Sequence, residues 1–248
     1  MSKSNSRINA AEVGRYFSAL ADYLARTEVT SASGEPLDLA EAVNQVIDWA
    51  RKTHAAGNKL IFLGNGGSAA IASHMAADFS KNGNVRSLAL NDSSMLTCIS
   101  NDLGYHRVFA EQIGLYAARG DLILAISSSG GSANILHAVD AARKRQCAVV
   151  TLSGFAADNP LRGRGDLNFY IASDRYGFVE IGHLTICHAI LDFLCGLRVS
   201  KKNFKGVTDH GGRPRGRAKI PSVNAPPLAG SPCASQGFAI DSAESAKR

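Results

Sequence analysis

The sequence feature that most constrains the fold is a pair of apolar runs, each followed at once by a loop of small polar residues. The first run, residues 60–63, leads into loop 64–68 (Gly-Asn-Gly-Gly-Ser), and the second, residues 122–126, leads into loop 127–132 (Ser-Ser-Ser-Gly-Gly-Ser). Apolar residues at helical spacing follow both loops. Such strand–loop–helix units present backbone N–H groups, hydroxyls and a helix N-terminus to one point, which favours a phosphate. One such loop is weak evidence, but two together indicate a phosphorylated small molecule.

The remaining hydrophobic pattern alternates between strand and helix periods, which predicts an α/β fold. Two amphipathic helices precede residue 57, and a loop at residues 30–35 separates them. The predicted strands then lie at residues 59–63, 86–90, 121–126, 148–152 and 167–172, and the predicted helices at 67–80, 93–99, 106–118, 132–145 and 178–198. This alternation implies a three-layer sandwich with a mostly parallel sheet. Ligands of such sheets bind at the carboxyl ends of the strands, where both loops fall.

Charge divides the chain into a neutral body and a basic tail. From Lys201 onward there are nine Lys/Arg and three Asp/Glu, so this segment carries the whole formal charge of +6. Its Pro, Gly, Ala and Ser content and its lack of apolar periodicity predict disorder. We expect an N-terminal helical segment at 1–57, a ligand-binding domain at 58–200 and a disordered tail at 201–248. Only the tail is a candidate for nucleic-acid contact, and a solvated extension is the simpler interpretation.

The pattern predicts a cytoplasmic protein without a membrane span. Residues 1–6 are polar and have no signal-peptide apolar core behind them. The longest apolar segment, near residues 178–197, is interrupted by Glu180, His183, His188 and Asp192. The five cysteines are odd in number and lack a spacing pattern, which is typical of reduced thiols. They are Cys98, Cys147, Cys187, Cys195 and Cys233.

Two pairs of His and acidic residues form a candidate metal site. His74 and Asp78 lie four residues apart on the helix after the first loop, so their side chains share one face. Glu180 and His188 lie eight residues apart on the last predicted helix, within about 80° of each other around its axis. Two imidazoles and two carboxylates at one sheet end could hold a divalent metal. Spacing alone leaves open the ordinary alternative of core or surface histidines and solvated acids.

Residues 10–198 resemble a SIS (sugar isomerase) domain of the phosphoheptose isomerase type. The similarity rests on motifs in the family's order and spacing. They are 64–68, 74–78 (His-Met-Ala-Ala-Asp), 100–104 (Ser-Asn-Asp-Leu-Gly), 126–134 (Ile-Ser-Ser-Ser-Gly-Gly-Ser-Ala-Asn), and the pair Glu180 and His188. The resemblance implies a five-stranded, mostly parallel, flavodoxin-like sheet with an N-terminal pair of helices. It also implies a homotetramer whose active sites lie at subunit interfaces.

The resemblance assigns site residues position by position. The substrate-binding positions of the family correspond to Asn65, Gly66, Gly67, Ser68, Asn101, Asp102, Ser127, Ser128, Ser129, Ser132 and Glu180. The zinc-binding positions, one ion per subunit, correspond to His74, Asp78, Glu180 and His188. The family usually has Glu where Asp78 stands and Gln where Glu180 stands. Both replacements keep an oxygen ligand, so the resemblance still implies a metal site.

The implied reaction is aldose–ketose isomerisation of a sugar phosphate through an enediol, with sedoheptulose 7-phosphate and D-glycero-D-manno-heptose 7-phosphate as the family's substrates. Asp78 and His188 occupy the proton-transfer positions of the family. Because Asp is shorter than Glu by about 1.5 Å, Glu180 is an alternative base, with Asp78 only a ligand.

Two other classes of function stay open at the level of sequence. One is a regulatory sugar-phosphate-binding protein without turnover, which a failure to bind metal would favour. The other is a SIS-type transcription regulator. It is disfavoured because the two N-terminal helices leave no room for a helix-turn-helix domain.

Overall fold

The computed structural model describes residues 7–199. The predicted tail at 201–248 and the polar residues 1–6 lie outside this range. The helices are α1 (Ala10–Ala25), α2 (Leu39–Ala55), α3 (Gly67–Lys81), α4 (Ser93–Leu103), α5 (Val108–Tyr116), α6 (Ala133–Lys144) and α7 (Tyr176–Leu194). The strands are β1 (Glu28–Ser31), β2 (Pro36–Leu37), β3 (Leu60–Gly64), β4 (Ser87–Ala89), β5 (Leu122–Ser127), β6 (Ala148–Gly154) and β7 (Leu167–Ile171).

The seven strands of residues 7–199 form one mixed sheet in the order β2-β1-β7-β6-β5-β3-β4. The five strands from β7 to β4 run parallel, and Gly64 at the end of β3 pairs with Ile126 near the end of β5. The predicted α/β class and parallel sheet are confirmed. The pairing also brings the two small-residue loops side by side, because both follow the carboxyl ends of neighbouring strands.

The predicted number of five strands is wrong, because a short hairpin adds two antiparallel strands at one edge. Residues 30–35, predicted as a loop, contribute the end of β1 and the turn into β2. β1 pairs antiparallel with β7, and Val29, opposite Phe169, is 3% exposed. Gly34 has φ +81° in the connecting turn, a conformation that glycine adopts without steric cost. A four-residue strand with one apolar side chain has too little alternation to be recognised from sequence.

Two hydrophobic cores cover the two faces of the sheet, which confirms the three-layer sandwich. Alternate residues of β3 point to opposite faces, as in any strand. Phe62 packs in the core beneath α2, α3 and α7, and Ile61 packs in the core beneath α5 and α6. Val46 of α2 belongs to the first core, so the N-terminal helical segment shares its hydrophobic core with the rest of the domain.

Helix α7 is the one helix among the described residues whose length and apolar composition would suffice to cross a membrane. Its apolar side chains pack within the domain instead. Val179, Ile186, Cys187 and Ile190 are all buried in the first core. Contacts with α2, α3 and the sheet therefore explain the apolar character of this helix.

Helix α1 lies on the outside and contains no buried residue. It begins with a capping box, in which the Asn9 side chain accepts from the Glu12 N–H and the Glu12 carboxylate accepts from the Asn9 N–H. Its apolar face contacts α7 where the ring of Tyr16 lies 4.6 Å from that of Phe178, between centroids. Phe17 nevertheless remains 63% exposed, so much of this face has no partner within the described chain.

Candidate active site

A cavity of about 240 Å³ lies between the two small-residue loops at the carboxyl ends of β3 and β5. Its lining residues are Asn65, Gly66, Gly67, Ser68, Ser127, Ser128, Ser129, Ser132, Tyr176 and Glu180. Nine of these ten were predicted as substrate-binding positions, and Tyr176 was not. Tyr176 is the first residue of α7, and no motif in the sequence marks it as part of a site.

Loop 127–132 is folded as a tight turn that offers hydroxyl groups to the cavity. The Gly130 N–H donates to the Ser127 carbonyl at 3.0 Å, and the Ser127 hydroxyl donates to the Ser132 hydroxyl at 3.3 Å. The Ser128 hydroxyl is buried and has no hydrogen-bond partner within the described part of the chain. A buried polar group without a partner is costly, so this hydroxyl is expected to contact a ligand.

The N-terminus of α6 faces the same cavity. Its N-cap residue, Ser132, makes no side-chain capping bond, and its first turn contains no acidic residue. The partial positive charge of a helix N-terminus is therefore not compensated here by a carboxylate of the helix itself. Together with the serine hydroxyls, this arrangement fits a phosphate dianion.

Asn65 is held in position by two residues that are distant in sequence. Its side chain exchanges hydrogen bonds with Asn134, at 2.9 and 2.8 Å, and its carbonyl oxygen accepts from the Tyr105 hydroxyl at 2.9 Å. No pattern in the sequence marks Tyr105, and Asn134 is only the last residue of the motif at 126–134. Tyr105 and Asn134 are 40 and 69 residues from Asn65 in sequence, so no helix or strand periodicity relates them to it. Only the folded chain brings the three side chains together.

Glu180 closes the cavity on the side of α3. A Cβ atom built on Gly67 would lie 2.4–2.5 Å from the carboxylate atoms of Glu180, so the carboxylate is in close contact with the glycine. Gly67 is the first residue of α3, and a carboxylate is stabilised at that end of a helix. The fold thus gives the two helix N-termini different surroundings. The N-terminus of α3 has a carboxylate beside it, and the N-terminus of α6 has serine hydroxyls.

His74, Asp78 and His188 form a compact group whose ligand atoms all lie within 4.8 Å of one another. The Nε2 atoms of the two histidines are 3.2 Å apart, and Asp78 Oδ2 lies 3.5 Å from His74 Nε2. Two nitrogens bound to one tetrahedral zinc ion at the usual 2.0–2.1 Å are separated by about 3.3 Å. The spacing of the imidazoles and the mixed nitrogen–oxygen donor set therefore fit a divalent ion such as zinc.

The fourth predicted ligand, Glu180, is not part of this compact group. Eight residues along a helix correspond to about 12 Å, so Glu180 and His188 lie two turns apart along α7. Gly67 and His74 are likewise about two turns apart on α3. The structure thus brings three predicted metal ligands together and leaves the Glu180 carboxylate in the neighbouring cavity.

Asn101 and Asp102 do not line the cavity. They lie in the last turn of α4, where the Asn101 amide donates to the Asp102 carboxylate at 2.8 Å, and both residues are exposed. The Cys98 thiol, one turn earlier, contacts the same carboxylate at 3.7 Å. Within a single chain, these two predicted substrate contacts remain apart from the others.

His183 is a buried histidine that the sequence did not assign to the site. Its Nε2–H donates to the Ser153 carbonyl at 3.0 Å, and its Nδ1 has no partner within residues 7–199. Burial disfavours the charged imidazolium and lowers the pKa of His183 to about 4. This histidine is therefore neutral at physiological pH and belongs to the core beneath the site.

Comparisons with known proteins match the chain to sugar isomerases. The family model described as SIS domain matches residues 15–154. The phosphoheptose isomerase of Geobacter sp. (strain M21) is 35% identical over 172 residues, which cover 67% of this chain and 88% of that protein. The phosphoheptose isomerase of Nitratidesulfovibrio vulgaris is 37% identical over 163 residues, which cover 62% and 76% respectively.

Solved structures give the same picture. The phosphoheptose isomerase from Neisseria gonorrhoeae superposes with a TM-score of 0.65 at 29% identity, covering 74% of this chain and 98% of that one. The phosphoheptose isomerase from Francisella tularensis has a TM-score of 0.64 at 24% identity and shares the fold. The matched family region contains both small-residue loops, His74 and Asp78.

Proposed function

Because the chain belongs to the SIS domain family and to its phosphoheptose isomerase type, we propose that it interconverts sedoheptulose 7-phosphate and D-glycero-D-manno-heptose 7-phosphate. The observation that carries this proposal is that a cavity suited to phosphate and a group of residues suited to a metal ion occur in the same domain. The serine-lined cavity offers a phosphate site, and the group of His74, Asp78 and His188 offers a metal and acid–base site further along α3 and α7. The four cysteines in the described residues are free thiols, which is consistent with a cytoplasmic enzyme.

The phosphate would be bound by loop 127–132 and the N-terminus of α6. Ser127, Ser128 and Ser132 line the cavity there, and the unpartnered hydroxyl of Ser128 becomes satisfied when a phosphate oxygen accepts from it. Glu180 repels an anion from the α3 side of the same cavity. The two effects together orient the phosphate towards α6 and the rest of the sugar away from it.

Isomerisation needs a base that removes the proton from the hydroxyl-bearing carbon next to the carbonyl and returns it to the former carbonyl carbon. We assign this base to Glu180, whose carboxylate already lines the cavity between the two small-residue loops. Asp78 then serves as a metal ligand with His74 and His188, whereas the Glu180 carboxylate lies in the cavity beside Gly67. A bound zinc ion would supply Lewis-acid stabilisation of the enediolate oxygen.

We further propose that the protein is a homotetramer with active sites completed at subunit interfaces. The exposed apolar face of α1, with Val13, Tyr16 and Phe17, is surface that a second copy would bury. An apolar groove of about 690 Å³ between α2 and α7, lined by residues such as Val43 and Phe193, lies beside it. In such an assembly, Asn101 and Asp102 would serve a site shared with a neighbouring subunit. Light scattering of the purified protein tests the subunit number.

Incubation of the protein and Zn²⁺ with a panel of ketose phosphates, followed by NMR, tests the proposed reaction. We expect conversion of sedoheptulose 7-phosphate to the aldose and exchange of the transferred proton with solvent. Ser127→Asp places a negative charge against the phosphate and should abolish binding and turnover, whereas Ser94→Asp, on the exposed first turn of α4, should change neither. Binding of sugar phosphate without turnover would instead favour a regulatory binding protein.

A further inference from the structure

Asn159, which lies outside the cavity, packs directly against the turn that forms the phosphate loop. It belongs to the segment between β6 and β7, and its side chain is 5% exposed. A Cβ atom built on Gly130 would lie 1.9 Å from Asn159 Oδ1 and 2.8 Å from Asn159 Cβ. The glycine and the asparagine side chain therefore leave no space between them, even for a methyl group.

The Asn159 side chain is itself held rigidly. Its Nδ2 group donates to the Ala156 carbonyl at 2.8 Å, the Gly154 carbonyl at 3.2 Å and the Ser153 hydroxyl at 3.3 Å. Its Oδ1 accepts from the Arg162 N–H at 3.2 Å. Because both ends of the amide are engaged, the side chain presents a fixed surface to Gly130.

A backbone hydrogen bond fixes the same turn from the same segment. The Leu161 N–H donates to the Gly130 carbonyl at 3.0 Å, and the Leu161 side chain is fully buried in the second core. Gly130 has φ +64°, a conformation that an L-residue adopts only with strain. Its own N–H closes the turn onto Ser127. The position of the serine hydroxyls therefore depends on the contacts that Gly130 makes with the segment between β6 and β7.

We propose that Asn159 is a positioning residue for phosphate binding. By packing against Gly130 it fixes the position of loop 127–132 without touching the substrate. The inference rests on the proposed phosphate site for its functional consequence. It predicts that Asn159 affects the affinity for the phosphate group and leaves the chemistry at His74, Asp78 and His188 unchanged. A displacement of about 1 Å in catalytic or binding groups is enough to weaken a site strongly.

The test compares Asn159→Ala with Asn168→Ala, a matched control from the same buried network. Asn168 is 1% exposed and bonds to Thr151 and Ser153, and none of its side-chain hydrogen bonds within residues 7–199 reaches loop 127–132. We expect Asn159→Ala to raise KM and the Kd for sedoheptulose 7-phosphate and inorganic phosphate about tenfold, with kcat within twofold. Asn168→Ala should lower Tm comparably and leave both constants unchanged. Equal losses of affinity in the two variants, in proportion to Tm, would overturn the proposal.

A double variant tests the contact itself. Gly130→Ala alone should lose most phosphate affinity, because its methyl group overlaps Asn159 and its φ is strained. Combining it with Asn159→Gly removes the overlap, including the contact with the Cβ atom 2.8 Å away, so the double variant should bind phosphate more tightly than Gly130→Ala does. If the fold-losses of phosphate affinity in the two single variants simply multiply in the double variant, the two residues are not directly coupled and the proposal is contradicted.

A measurement without substrate separates this inference from the proposed function. Amide hydrogen exchange of Gly130 should rise about tenfold in Asn159→Ala and not in Asn168→Ala, because its bond to Ser127 loses support. An unchanged exchange rate refutes the positioning role whatever the protein binds. A parent protein that binds no sugar phosphate refutes the proposed function, and the exchange experiment still decides the role of Asn159.

Discussion

The carboxylate of Glu180 lies against Gly67, so closely that a Cβ atom at this glycine would come within 2.4 Å of it. The contact joins the first residue of α3 to the second turn of α7 and places a negative charge at a helix N-terminus. It also separates Glu180 from the group of His74, Asp78 and His188. The contact therefore places the Glu180 carboxylate in the cavity between the two small-residue loops and apart from the candidate metal ligands.

Gly67→Ala should disable the site while the fold survives. The added methyl group overlaps the Glu180 carboxylate, which must move out of the cavity. We expect turnover to fall at least about tenfold while Tm changes by only a few degrees. Gly14→Ala is the control, because a Cβ at this helical glycine meets nothing within 4 Å. Equal activity in the two variants would show that the position of Glu180 is unimportant.

His188→Ala should remove most of the bound metal. We expect about one zinc or similar divalent ion per parent chain, and the loss of one of three close ligands should weaken binding and stop turnover. Elemental analysis after dialysis measures the ion. His137→Ala, at an exposed histidine on α6, should retain both metal and activity. A parent protein that still isomerises a sugar phosphate after chelation would refute the metal site.

Glu180→Gln separates the two roles of the glutamate. If Glu180 is the base, as we propose, the variant should keep its metal and lose turnover by about 100-fold or more, since a neutral amide cannot accept the proton. If Glu180 is only a ligand, the amide oxygen replaces the carboxylate and turnover should be at least that of the parent. Metal content and kcat, measured on the same sample, distinguish the two cases.

A chain that ends at Ser200 should fold, oligomerise and keep its activity. Every motif of the site lies before this residue, and the removed segment carries the net charge of +6. Light scattering and the isomerase assay check the prediction. Aggregation or loss of activity in the shortened protein would assign the basic segment a structural or functional role.

The local patterns of the sequence were sufficient for the parallel sheet and the loops. The apolar runs that became β3 and β5 and the helix that begins at Gly67 were predicted within one or two residues. Such elements are readable because their signals, a buried strand and the small residues that follow it, lie within a short window. The helical spacing of His74 and Asp78 likewise placed both on one face of α3.

Only the tertiary structure decided the rest, because it depends on contacts between residues far apart in sequence. The hairpin at residues 28–37 becomes part of the sheet by pairing with β7, more than 130 residues later. Glu180 and His188 lie on one helix, yet packing against α3 sends the first to Gly67 and the second to His74. The support of Gly130 by Asn159 has no sequence signal at all, because close packing of side chain on backbone follows from three-dimensional shape and not from any periodicity.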